Sequence, residues 1–277
     1  MHLVQTYFVM KRVDLIQVEH TVKMGDICSF IEPNVTDDSL FYVDGEPIGF
    51  YLTKMPDKMC NLANLANAEF KSKNVPKSEM NRKPTDGFDE VKGVYKYKNS
   101  VTQMSTILGS CPPKPHMRRP YPTISSVHSV KSAQTFIKAM LMLAIEAEQL
   151  IKEILPTQYE RQVELFKNVP DEWKFGNLFT SSISNYNISA PFHRDNANIV
   201  GAVNVIICKK RDCKGGDLNV PDYGATIGQK DNSILVYPAW KNIHGVTPII
   251  PTSKDGYRNS LIFYPLKAFV LQQNPTT

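Results

Sequence analysis

Beyond Trp173 the chain is cut so often by Gly, Pro and Asn–Asp clusters that only short elements can form. The runs "LFTSSIS", "GAVNVIIC", "NSILVYP" and "NSLIFYPL" are rich in β-branched and aromatic residues, and each is closed by turn residues. Several short strands at close spacing argue for a sandwich or barrel. Internal repeats are absent from the sequence, which removes solenoids and propellers. Residues 130–154, "VKSAQTFIKAMLMLAIEAEQLIKEI", instead place apolar residues at helical spacing among good helix formers and stop before Leu155-Pro156. The following "TQYERQVELFKNV" predicts a second helix.

The first third reads as short strands and loops. "SLFYVDGEPIGFYLT" (39–53) predicts a hairpin turning at Asp44-Gly45. From Lys71 to Tyr121 the chain is rich in Lys, Asn, Pro and Ser, and "SCPPKPHMRRPYP" (110–122) holds five prolines, which exclude regular helix. This segment is expected to be an extended, basic connector or binding arm. The expected division is a β-rich extension with its basic Pro-rich arm over 1–122, and helical support plus a β core over 123–277.

With 277 residues and 42% hydrophobic content the chain can bury a substantial core. The five cysteines (28, 60, 111, 208 and 213) are scattered and never form C-x-x-C, so they signal neither a disulfide framework nor a zinc cage. No run approaches the ~18 apolar residues of a membrane span. The start "MHLVQTYFVMKRVDL" lacks the apolar region and cleavage site of a signal peptide. An intracellular protein without membrane contact is expected, and a monomer is compatible with the sequence. A net charge of +5 permits an anionic partner such as nucleic acid without requiring one.

The chemistry is carried by "SAPFHRDNANIV" (189–200). Residues i and i+2 of a strand share a face, so His193 and Asp195 can present an imidazole and a carboxylate together. Taken alone, H-x-D is more often an exposed polar pair. A third ligand is available in His244, embedded in β-rich sequence, and two His with one Asp form a facial triad suited to non-haem Fe(II) oxygen chemistry. Beyond it, Arg258, Ser260, Ile262 and Tyr264 fall on one strand face. A guanidinium beside a hydroxyl, facing inward, is a clamp for a carboxylate.

H-x-D, a distal His and then R-x-S is the order of the Fe(II)/2-oxoglutarate dioxygenases, built on a double-stranded β-helix (jelly-roll) core. More narrowly, "CKGGDLNVPDYGATIGQKDNSILVYPAWKNIHGVTPI" followed by "RNSLIFYPL" resembles the TET and J-binding-protein branch, which oxidises the 5-methyl group of pyrimidine bases. The similarity rests on Gly215-Gly216, Leu218, Pro221-Asp222-Tyr223, His244, Thr247-Pro248 and the run from Arg258 to Tyr264.

The resemblance implies an α+β, mainly β fold: a jelly-roll core with flanking helices and an N-terminal β-rich extension. It implies a dioxygenase using Fe(II), 2-oxoglutarate and O2, with His193, Asp195 and His244 on the metal and Arg258 and Ser260 on the distal carboxylate of 2-oxoglutarate. Tyr186 is a further expected contact to 2-oxoglutarate. DNA is the implied partner, with thymine or 5-methylcytosine as the target base. Asn198 matches the position of a base-reading asparagine, and Tyr264 that of a tyrosine stacking on a flipped base. Two departures matter. Ala197 stands where TET proteins have another polar contact, and the cysteine-rich zinc region of animal TET enzymes is missing. The segment with Lys114, Arg118, Arg119 and Tyr121 is therefore the candidate grip on DNA. Two other readings are a protein (prolyl-type) or small-molecule hydroxylase with the same site, and a silent binding module; the complete His193, Asp195, His244 and Arg258 set argues against the latter.

Overall fold

The structure is a computed structural model describing residues 9–79, 85–89, 94–97 and 102–271. Its first elements are β1 (Lys11–Asp14), the hairpin β2 (Ser39–Val43) and β3 (Glu46–Leu52), α1 (Asp57–Lys71) and β4 (Ser78–Glu79). There follow a separate hairpin of β5 (Thr85–Asp89) and β6 (Val94–Tyr97), then β7 (Met104–Cys111), β8 (Thr123–Ile124), α2 (Gln134–Ile154) and α3 (Pro156–Phe166). The C-terminal half supplies β9 (Ser181–Tyr186), β10 (Ala190–His193), β11 (Asn204–Arg211), β12 (Cys213–Gly215), β13 (Leu218–Val220) and β14 (Ala225–Ile227). It ends with β15 (Ser233–Tyr237), β16 (His244–Val246), β17 (Ile249–Pro251) and β18 (Tyr257–Tyr264).

Most of these strands build two facing sheets, with β12 and β17 pairing separately. The main sheet runs β1-β2-β3-β15-β11-β18-β9-β7-β4 with β8 on β7, and the minor sheet runs β10-β16-β13-β14. Pairing is antiparallel except for β1 on β2. The central strands are covered on both faces, so period-2 alternation sorts their side chains into two cores. Val205, Ile207, Ile234, Val236, Leu261 and Phe263 face α1 and α2, meeting Ala63, Phe70, Phe136 and Met140 in the larger cluster. On the opposite face Leu235 and Tyr237 pack with Leu218, Val220 and Ile227 of the minor sheet.

The hairpin turns at Asp44-Gly45 as its sequence predicts, with φ of 52° and 83°, the double left-handed conformation that suits twisted strands. The long helix and its successor also form, Pro156 standing at the first turn of α3. A short 3-10 turn, Pro115–Met117, is the only helical element within the proline-rich run.

Three features differ from the sequence reading. Residues 57–71, expected as strand or loop, are α1; its buried face is built of Met59, Ala63, Ala66, Asn67 and Phe70, too rich in small residues to stand out as an apolar stripe. The basic arm contains β7, a strand in full register with β9. Strands from both sides of residue 122 also share one sheet, because β3 pairs with β15 and β7 with β9. No helix among the described residues is long and apolar enough to cross a membrane.

The N-terminal extension reaches the minor sheet as well. Phe192 on β10 donates its N–H to Asp26 O (2.9 Å) and accepts from Gly25 N–H (2.7 Å), while Val35 bridges to Ile227. Residues 15–36 thus clip the strand that ends at His193. Glu148 of α2 fixes the entry to β9: its carboxylate is buried and accepts from the backbone N–H of Asn177 (2.6 Å) and Leu178 (3.0 Å). Desolvation raises its pKa, and those hydrogen bonds oppose the rise.

Phe263 points away from the cavity into the helical core, packed on Phe179 and Phe175. Phe263→Ala is expected to cost about 3–5 kcal/mol. Chemical denaturation measures it, and a loss below ~1 kcal/mol would contradict this side-chain direction.

Candidate functional site

Between the two sheets lies a cavity of about 470 Å³. His193 ends β10 and His244 begins β16, and the two are direct partners across that antiparallel pair, with ring centroids 4.4 Å apart. Asp195, two residues on, brings its Oδ1 to 3.6 Å from His193 Nε2. One ligand atom from each of the three lies within 4.8 Å of the others, a spacing that can hold a metal ion.

The histidines are oriented by backbone carbonyls. His193 Nδ1 lies 2.8 Å from Pro191 O, and His244 Nδ1 lies 3.1 Å from Asn242 O. A carbonyl can only accept, so both Nδ1 atoms donate, and Nε2 is the atom each ring can offer to a metal. His244 is buried, and burial pushes its pKa below the ordinary imidazole value; neighbouring His193 adds to the shift. It is therefore held in the neutral form a ligand needs. Asp195 is steadied through Oδ2, which accepts from Asn204 Nδ2 at 3.0 Å and Asn198 Nδ2 at 3.4 Å. Asn198 donates as well to Asn204 Oδ1 (2.8 Å), closing a triangle of side chains.

Arg258, Ser260, Ile262 and Tyr264 of β18 all line the cavity, as their shared parity requires. Arg258 is only 3% exposed, and its Nε is buried without a hydrogen-bond partner. Such a cation is costly unless an anion joins it. Gly216 explains the Gly-Gly pair of the sequence: at φ +72°, a Cβ there would stand 2.3 Å from Arg258 Cδ. Backbone lies directly over the arginine shaft. Gly215 is equally confined, its would-be Cβ lying 1.9 Å from Pro248 O.

Seven of the eight expected site residues meet at this cavity; Tyr186 does not. β9 presents Ile183 and Asn185 to the cavity, so Tyr186 has the opposite parity. It stacks instead between Tyr257 (5.5 Å) and Phe70 (6.1 Å) on the helical side. The cavity-facing polar residue of β9 is Asn185, register partner of Ser260. Asn198 lines the cavity but its amide N–H is already engaged by Asp195 and Asn204, leaving its oxygen as the open group. Tyr264 stands next to it, because Asn198 bridges to Leu266.

Sequence reasoning missed three further polar residues. Asn204 sits in an apolar run, and its parity with Ile206 was the available signal. Gln229 is buried with neither amide atom hydrogen-bonded, and Tyr237 carries a buried, unpartnered hydroxyl; both line the cavity. Together with Arg258 Nε they leave the cavity wall furnished with polar atoms that no described residue satisfies. Trp240, near His244, donates Nε1–H to Ala202 O at 2.8 Å, anchoring its loop.

The model of the Tet_JBP family, the oxygenase domain of the 2OGFeDO superfamily, matches residues 94–267. Among solved structures the chain is similar to NgTET1 in complex with 5mC DNA, with a TM-score of 0.57 and 12% identity over 95% of this chain and 85% of that one. An oxidoreductase of the 2OG-Fe(II) oxygenase family from Burkholderia pseudomallei is more distant, with a TM-score of 0.44 and 10% identity over 82% of this chain and 88% of that one. No curated protein matches the chain in sequence.

Replacing Asn204 by Leu leaves Asp195 Oδ2 without its shorter hydrogen bond. Affinity for Mn(II), measured by calorimetry, is expected to fall about 10–100-fold. Unchanged affinity would show that the asparagine does not position the carboxylate.

Proposed function

We propose, from the fact that this chain belongs to the Tet_JBP family of Fe(II)- and 2-oxoglutarate-dependent dioxygenases, that it hydroxylates the 5-methyl group of a pyrimidine base in DNA. The observation that carries this reading is one cavity with three furnished regions: the His193, Asp195 and His244 cluster, the buried Arg258 and Ser260, and a wall that includes Asn198 and Tyr264. The likeness of fold to NgTET1, whose structure is a complex with 5mC DNA, supports it.

His193, Asp195 and His244 would hold Fe(II), and the donor set fits: two imidazoles and one carboxylate whose ligand atoms converge. Iron and 2-oxoglutarate together supply the oxidising power, consuming O2 and releasing CO2 and succinate as one oxygen atom enters the substrate C–H bond. Arg258 supplies a fork of N–H donors in a dry setting, where a carboxylate pairs with it strongly. Ser260 stands two residues along the same face to add one hydrogen bond.

The remaining side chains bind and orient the substrate. The target methyl lies inside a duplex major groove, so the base must swing out to reach a cavity between two sheets. Tyr264 offers a ring against which a flat base can lie. Asn198 offers its free oxygen to a donor on the base edge, which cytosine and thymine both possess. Apolar Ile188, Ile206, Leu218 and Ile262 exclude water around the reacting carbon.

The decisive experiment incubates the protein with Fe(II), 2-oxoglutarate and DNA with or without 5-methylcytosine, followed by nucleoside mass spectrometry. A hydroxymethyl base is expected. Its absence, with succinate released on a peptide or small molecule instead, would transfer the site to a protein or metabolite hydroxylase. Arg258→Lys should weaken 2-oxoglutarate about tenfold or more, since a point charge cannot reproduce the fork. Anaerobic titration of the visible chelate band measures this, and unchanged affinity would rule out the clamp.

A further inference from the structure

The net charge of +5 is unevenly placed along the chain. Residues 91–145 contain eight Lys or Arg and no Asp or Glu, leaving 24 basic against 27 acidic side chains elsewhere. All of the positive excess therefore resides in one fifth of the sequence. Where that segment meets the main sheet there is a second cavity, of about 840 Å³, walled by β7, β8 and the intervening loop.

The second cavity adjoins the first. Ile183 and Asn185 line the iron cavity, and their register partners on β7, Ile107 and Ser105, line the second. The second cavity thus reaches the same face of the main sheet as the first, and Tyr264 and Leu266 line both. On the outer side stand Lys114, Arg119 and Tyr121. The loop carrying them is pinned by reciprocal backbone hydrogen bonds between Lys114 and Arg119 (2.6 and 3.1 Å). Among the described residues no carboxylate pairs with Lys114, Arg118 or Arg119. Apolar surface is open there too: Ile107 is 37% exposed in mid-strand, and Tyr121 is 76% exposed.

Cations with no carboxylate partner among the described residues, beside an exposed isoleucine and an exposed aromatic ring, match the chemistry of a nucleic-acid strand. Phosphates take the cations, sugars the aliphatic surface, and a base the ring. Because Tyr264 and Leu266 wall both cavities, a nucleotide whose base occupied the first would have its neighbour beside the second. We propose that this groove holds the sugar–phosphate backbone and the base adjacent to the target nucleotide. The assignment rests on the nucleic-acid reading given above and adds the residues that would grip the strand.

Anisotropy of a fluorescein-labelled duplex carrying one 5-methylcytosine tests it, titrated at several salt concentrations. Lys114→Ala with Arg119→Ala should weaken binding about tenfold and lower the salt slope by roughly 2, one phosphate contact per cation. Tyr121→Ala should weaken binding with the slope unchanged. All three side chains are exposed, so the fold does not depend on them. Lys131→Ala with Lys138→Ala removes the same charge from the same acid-free segment outside the groove, and should have little effect. Equal losses in the two pairs, or a groove pair that binds as wild type does, would overturn the inference while leaving base oxidation intact. Wild-type protein that neither binds the duplex nor oxidises it would overturn the inference together with the reading on which it rests.

Discussion

Strands β11 and β18 lie in the middle of the main sheet and are buried on both faces, so every residue on them must satisfy one of two incompatible surroundings. Val205, Ile207, Leu261 and Phe263 answer to the helices, whereas Asn204, Ile206, Arg258, Ser260, Ile262 and Tyr264 answer to the cavity. A shift of register by one residue would drive Arg258 into the packed aromatic layer and Phe263 into the cavity. Hydrophobic packing on one side thus enforces polar placement on the other. The cluster of His193, Asp195 and His244 on the facing sheet depends on this because the wall opposite it is β18.

The side chains of His193, Asp195 and His244 are oriented by hydrogen bonds. Pro191 O and Asn242 O turn the imidazoles, and the Asn198 and Asn204 amides hold one carboxylate oxygen of Asp195 while the other faces His193. β10 and β16 are short, and the extension clipped to Phe192 supplies support that four residues of strand cannot supply alone. Residues distant in sequence therefore contribute to the position of His193 without approaching the cavity.

What could be read from the sequence was whatever a fixed period encodes. Parity alone placed Arg258, Ser260, Ile262 and Tyr264 on one face, and composition with spacing gave α2 and the Asp44-Gly45 turn. Parity needs an anchor, however. "SSISNY" has no clean alternation of polar and apolar residues, so only pairing with β18 shows that Asn185 faces the cavity and Tyr186 the helices. Gln229 and Tyr237 gave no local signal because what distinguishes them is the lack of a partner, a property of three-dimensional surroundings. Helix α1 hid behind alanines and an asparagine, and β7 behind the prolines and lysines around it.

The roof over Arg258 has a consequence for how such a site can change. It is made of Gly216 backbone in a left-handed conformation, so no side chain can be added there without striking the arginine, and none exists to be varied. Most binding pockets can be retuned gradually by exchanging the side chains that surround a key group. Here that route is closed from above, and on this side the surroundings of the guanidinium can change only by replacing the arginine itself, in a single large step. Whatever preference the arginine sets is thereby insulated from drift on this side, while the other walls of the cavity, lined by ordinary side chains, stay open to variation.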